Sequence, residues 1–168
     1  MEIDFPTLFV APKTLVVPMP WVEREPDCLV LIAHLDVDGV TVQGVRLKGT
    51  ARKSLPDEVV TFQLEYHAPR GRGGAICRVE WRPLKGHNNK AMGPPEWRNH
   101  LISGCHLHGF DMNWTWAAKH VRRGNLPIAA PIVNPPTSYS DLLAFVGKEF
   151  RINGVEALDL PPWQLTLL

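Results

Sequence analysis

Three stretches of this chain alternate apolar and polar residues with a period of two. That pattern commits them to a sheet with one dry face and one wetter face. From Val59 to His67, Val60, Phe62, Leu64 and Tyr66 fall on one side, and Thr61, Gln63, Glu65 and His67 on the other. From Ala75 to Arg82 the apolar side is Ala75, Cys77, Val79 and Trp81, while Arg78, Glu80 and Arg82 follow Ile76 on the opposite side. A third strand is read from Gly104 to Phe110, and there alternation puts His106 and His108 on one face, two residues apart.

Other strands are signalled before these. The run CLVLIAH at 28–34, the turn Asp36-Val37-Asp38-Gly39 and the β-rich run Val40 to Leu47 predict a hairpin, with Gly44 marking a bulge. The first 27 residues contain Pro6, Pro12, Pro18, Pro20 and Pro26. They predict an extended or irregular segment across the surface, with Leu15-Val16-Val17 pairing at a sheet edge. Helix is scarce: a turn or two from Trp97 to Ile102, a short helix from Thr115 to Arg123, and a better one from Ser140 to Phe150 with Ser140 as N-cap. The expected architecture is α+β, an antiparallel β-sheet with one or two helices packed on one face. A single domain is expected over residues 1–168: a Pro-rich extended segment (1–27), a mainly β part (28–113) and a helix-containing part (114–168).

Composition narrows the function classes. With 45% hydrophobic and 21% charged residues the chain can bury a real core. A net charge of +1 argues against strong overall attraction to nucleic acid or acidic membranes and leaves a local basic patch open. Cys28, Cys77 and Cys105 are odd in number and irregularly spaced, so they read as buried thiols in a reducing compartment rather than as a disulfide framework. The start Met1-Glu2-Ile3-Asp4-Phe5 has no basic residue leading into an apolar run, and no stretch is apolar over about 18 residues. A cytoplasmic protein with no membrane partner is expected.

The candidate site grows from the polar sides of two strands. If 75–82 and 104–110 are neighbours, Arg78 and Glu80 share a face with His106 and His108. The long loop between them carries Lys85, His87, Asn88 and Asn89, and loops of that length are often functional. Two chemistries suit this set. One is ligation of an exchangeable divalent metal by His106, His108 and His87 with a carboxylate as further ligand or base; no cysteine faces the pair, so the site would be open. The other is metal-free phosphodiester cleavage, with the histidine pair as acid and base and Arg78 or Lys85 neutralising phosphate beside Asn88. Plain readings stand against both. Strand histidines often only bond a neighbour. Glu80 can be half of an ion pair with Arg78 or Arg82, Asn88-Asn89 can be a turn, and Arg70 to Arg72 a solvated loop. Trp114 and Trp116 can be core or rim aromatics, and His34, His67, His100 and His120 stand alone in the sequence.

Taken together, Arg78-Val-Glu80-Trp-Arg-Pro, His87-Asn-Asn and Cys105-His-Leu-His108-Gly-Phe-Asp-Met-Asn113 resemble a pattern in small bacterial proteins: Arg-x-acid, a His-x-Asn loop, then His-x-His-x-aromatic. The pattern is similar to, though looser than, that of TumE-type toxins encoded beside a helix-turn-helix antitoxin, and it covers about residues 76–113. The resemblance implies an RNA-directed, nuclease-like toxin, an antitoxin partner, and a site made of Arg78, Glu80, His87, His106 and His108. The expected function is therefore a nuclease-like hydrolase acting on RNA or another phosphodiester. Its candidate catalytic residues are His106, His108, His87 and Glu80, and Arg78, Asn88 and Lys85 would bind substrate. The alternative is a non-catalytic regulator or inhibitor that docks to a protein through a sheet edge or its tryptophans, with structural histidines.

Overall fold

A computed structural model describes residues 4–16, 20–69 and 73–164. It opens on a helix, α1 (Phe5–Val10), which corrects the expectation that residues 1–27 are extended or irregular throughout. The Asp4 carboxylate accepts the Thr7 N–H at 3.2 Å, and Pro6 sits in the first turn, where a missing N–H does no harm. Leu8 and Phe9 give the helix a face to bury, with Phe9 stacked on Phe110 at 4.6 Å. Next come β1 (Lys13–Leu15) and β2 (Val22–Glu25). β1 does not lie at a sheet edge as expected of Leu15-Val16-Val17; it has a strand on each side, and Val17 falls outside the described residues.

The predicted hairpin is present as β3 (Cys28–Val37) and β4 (Val40–Arg52), turning at Asp38 and Gly39 with φ of 50° and 77°. Its register shifts between His34 and Asp36, and Gly44, at φ 90°, lies in the looped-out stretch of β4. The two alternating runs form β5 (Val60–Tyr66) and β6 (Gly74–Trp81). A two-stranded ribbon, β7 (His87–Asn88) with β8 (Leu101–Ile102), occupies the long loop. β9 (His106–His108) is followed by α2 (Phe110–Val121), β10 (Ala130–Pro131), α3 (Tyr139–Phe150) and β11 (Ile152–Asn153). The main sheet runs β10-β9-β6-β5-β4-β3-β1-β11, with β2 beside β3. All its pairings are antiparallel except β1 with β11. The fold is α+β.

Helix boundaries depart from the sequence reading. Residues 95–99 form a turn and Leu101-Ile102 pairs as a strand, so no helix spans Trp97 to Ile102. The third strand stops at His108, because Gly109 adopts the extended N-cap conformation and its carbonyl takes the Asn113 N–H, which starts α2 at Phe110 rather than Thr115. α2 is kinked at Ala117 (φ −147°, ψ 34°). α3 is capped by Ser138 instead of Ser140: its hydroxyl accepts the Asp141 N–H, and the Asp141 carboxylate accepts the Ser138 N–H in return.

All three helices pack on the apolar sheet face, their Leu8, Phe9, Phe110, Val121, Leu142, Val146 and Phe150 joining Leu31, Leu47, Phe62, Val79 and Trp81 in one core. Lys13 pins the ends of α1 and α3 from inside. Its ammonium, 0% exposed, donates to the carbonyls of Phe9 (2.9 Å), Ala11 (2.7 Å) and Phe150 (3.1 Å). These are C-terminal carbonyls of α1 and α3 that no backbone N–H can reach. Among the described residues no helix is long and apolar enough to cross a membrane.

Candidate functional site

The polar sheet face carries the site. β6 and β9 are antiparallel neighbours with Arg78 opposite His108 and Glu80 opposite His106, so the predicted juxtaposition is set by register. The His106 and His108 rings lie 5.3 Å apart. The β7–β8 ribbon brings His87 to them, 4.5 Å from the His108 ring and 6.1 Å from that of His106. Glu80 stands between the pair: Oε2 is 3.5 Å from His106 Nε2 and Oε1 is 3.6 Å from His108 Nε2. Arg78 closes the group, with Nε 3.1 Å from Glu80 Oε1 and Nη2 3.0 Å from His108 Nε2.

This part of the face is not wet, which corrects the sequence reading. Both histidine side chains are 0% exposed, against 28% for Arg78 and 25% for Glu80. The reason is a cover that alternation cannot reveal. The stretch 126–129 lies against His108 and His87 and is held by two buried asparagines. Asn113 donates to the Ile128 carbonyl (2.8 Å) and accepts the Ile128 N–H (3.0 Å). Asn89 does the same for Ala129, at 2.8 Å in both directions. Each side-chain amide thus imitates a strand partner.

That clamped stretch fixes the tautomers. His108 Nδ1 donates to the Leu126 carbonyl (2.8 Å), and His87 Nε2 to the Pro127 carbonyl (2.8 Å). His106 Nδ1 donates to the Gly104 carbonyl (2.7 Å). A carbonyl only accepts, so each of these nitrogens carries the proton and the other ring nitrogen keeps a lone pair. His108 Nε2 receives an N–H from Arg78. His106 Nε2 is buried and has no hydrogen-bond partner.

Electrostatics keep the imidazoles neutral and the carboxylate charged. Burial pushes His108 down to about 4, against the pull of Glu80, and burial likewise lowers His106. Glu80 is held below the ordinary carboxylate range by the Arg78 guanidinium, with burial opposing. Because His108 gives its ring proton to Leu126, its 3.6 Å approach to Glu80 carries no hydrogen, and Arg78 is the lasting cation of the group. The donor atoms of Glu80, His106 and His108 all lie within 4.8 Å of one another, a spacing that suits a shared cation.

The remaining sequence candidates fall elsewhere. Lys85 is exposed and makes no ion pair among the described residues. Asn88 is exposed and its side chain accepts the Lys90 N–H, as a turn residue does. Trp114 stacks between Phe5 (5.8 Å) and Phe110 (5.5 Å), while Trp116 is 49% exposed. The loop Arg70 to Arg72 lies outside the described residues. His67, read as isolated, contacts Glu65 (2.8 Å) and Arg46 (3.0 Å) in a second polar group on the same sheet face. Sequence reasoning missed the clamp: Asn89 passed as part of a turn, and the acceptor carbonyls of Gly104, Leu126 and Pro127 carry no side-chain signal at all. No family model matches the chain, and neither the curated proteins nor the solved structures that were searched give a match.

Proposed function

We propose that this protein is a nuclease-like hydrolase that cleaves RNA, using His106 as general base and Arg78 to hold the scissile phosphate. The supporting observation is the buried lone pair of His106 Nε2, unpartnered and one carboxylate away from a guanidinium. Arg78 and Glu80 are the solvent-facing members of the cluster, so an incoming phosphodiester meets the guanidinium first, a group whose fork matches phosphate oxygens. His106 then takes the proton of a ribose 2′-hydroxyl. The oxygen attacks the adjacent phosphorus, the P–O5′ bond breaks, and the departing 5′ oxygen is protonated from water. The Gly104 and Leu126 carbonyls orient the two imidazoles through their Nδ1–H groups. The resemblance to TumE-type toxins supports RNA as the substrate and an antitoxin as the partner.

The test is incubation of the chain with end-labelled single-stranded RNA. The wild type is expected to give 2′,3′-cyclic phosphate ends. His106→Ala should lower the rate by about 100-fold or more, in the range general base catalysis supplies, and Arg78→Ala should raise the RNA concentration needed for half-maximal rate. One observation favours a second reading, the regulator with structural histidines: both rings are wholly buried and anchored to backbone. Intact RNA after long incubation, with a large loss of stability in His106→Ala, would establish that reading instead.

A further inference from the structure

We propose that Glu80, His106 and His108 bind one divalent transition-metal ion, through the Glu80 carboxylate and the two Nε2 atoms. An ion there would hold the His106 Nε2 lone pair, so in the metal-bound form a metal-bound water would replace the imidazole as base; the inference rests on the cleavage reading only for its catalytic meaning.

Distances carry the argument first. At 3.5 and 3.6 Å, the Glu80 oxygens are too far from the imidazole nitrogens for strong hydrogen bonds. Each oxygen nonetheless stands from its own imidazole nitrogen about as two ligands of one ion do, since metal bonds of about 2.1 Å in tetrahedral array put neighbouring donors about 3.4 Å apart. With one atom taken from each residue, the three donors lie within 4.8 Å of one another. Tautomers come second. A metal-binding imidazole gives its other N–H to a carbonyl or carboxylate, and His106 and His108 give theirs to Gly104 and Leu126. Both Nε2 lone pairs are therefore turned toward Glu80 in the form that binds metal without first losing a proton. The third observation is the orphaned atom. A buried nitrogen with no donor facing it is costly, and a cation on His106 Nε2 would satisfy it. Acid–base work alone leaves the pair poorly explained, because two lone-pair nitrogens offer two bases and no acid.

Arg78 sets the affinity. Its Nη2–H now occupies the His108 lone pair, so a metal must displace it. The side chain is 28% exposed, so a displaced guanidinium remains available to phosphate. Competition between guanidinium and ion makes the metal exchangeable. Two nitrogens and one oxygen favour zinc, cobalt, nickel or iron over magnesium, calcium or manganese, and leave coordination positions for water and a phosphate oxygen.

The experiment is titration of chelator-stripped, full-length protein with cobalt(II) chloride, read by visible d–d absorption. Saturation at one cobalt per chain is expected. His106→Ala and the near-isosteric Glu80→Gln should each weaken binding by at least about tenfold, and Arg78→Ala should tighten it, an outcome a merely folded scaffold would not produce. Should His106→Ala fail to fold, Glu80→Gln and Arg78→Ala still decide the matter. No saturable absorption at millimolar cobalt, or equal affinity in wild type and Glu80→Gln, would overturn the site. RNA cleavage that survives chelator with no cobalt binding would overturn the site and leave the cleavage reading standing. Cobalt binding with no cleavage of RNA in any metal would do the reverse.

Discussion

The full burial of His106 and His108 changes what their substitution should do. A histidine on an open polar face would cost near the usual surface limit of about 0.5 kcal/mol. Here His108→Ala strands the Leu126 carbonyl and an Arg78 N–H, and opens space in a packed layer. A loss of about 2–4 kcal/mol is expected in a denaturant titration of the metal-free protein, by the cost of buried groups left unpaired. The same residues should make that protein acid-sensitive in two stages. His108 titrates near 4 when folded and near 6.5 when unfolded, with Glu80, Arg78, His87 and His106 around it, so the unfolded chain takes up the proton first. Stability should be full above about pH 6.5 and fall as pH drops toward 4. Glu80, held below its ordinary range by Arg78, should extend the loss below about pH 4.5. Midpoints of urea unfolding across pH, in chelator, check this. Glu80→Gln should remove the lower stage, and a flat profile from pH 7 to 4 would contradict it.

At the scale of elements, the strand hydrophobicity was legible and the covers were not. Period-two alternation in β5 and β6 located both faces, and the turn at Asp38-Gly39 located the hairpin. Those signals are local: each depends on a residue and its near neighbours. What the sequence concealed depends on distant partners. Asn113 falls between the predicted strand and helix with no pattern to mark it, yet it bonds Ile128 fifteen positions on. The wetter face was misjudged because alternation reports which residues oppose the core, not what later folds over them. Similarly, α1 was hidden by proline count, which marks helix interiors as forbidden but says nothing against a first turn. The clamp supplies its own test. Asn113→Ala removes a paired donor and acceptor from a buried backbone residue, and should cost about 2–4 kcal/mol. Asn113→Asp, which keeps the acceptor and loses the donor, should also fail to restore stability. Thermal melts of both variants should be accompanied by faster amide hydrogen exchange at Ile128 and Ala129.

For the molecule as a whole, the sheet order ties its ends together. β1 lies between β3 and β11, so strands from near both termini share one region of the sheet. Lys13 reinforces that closure by bonding the end of α3. No sequence pattern announced this, because a three-residue and a two-residue strand leave no periodic trace. Removing residues 151–168 would strip β11 and the buried Ile152, Val155 and Leu158 from the core. Such a chain is expected to lose its cooperative thermal transition and to bind a hydrophobic dye. An unchanged melting temperature would show that the sheet does not need its terminal partner.

The rims of that sheet bear on how another polypeptide can approach it. One outer strand, β10, is two residues long and contains Pro131, which has no N–H to offer. The other, β11, is equally short. The free side of β2 presents Glu23, Arg24 and Glu25, all exposed, and charged rims discourage strand addition. Among the described residues the sheet therefore gives a visiting strand little to extend. A protein partner would have to recognise side chains, and the protein should resist the edge-to-edge stacking from which fibrils grow.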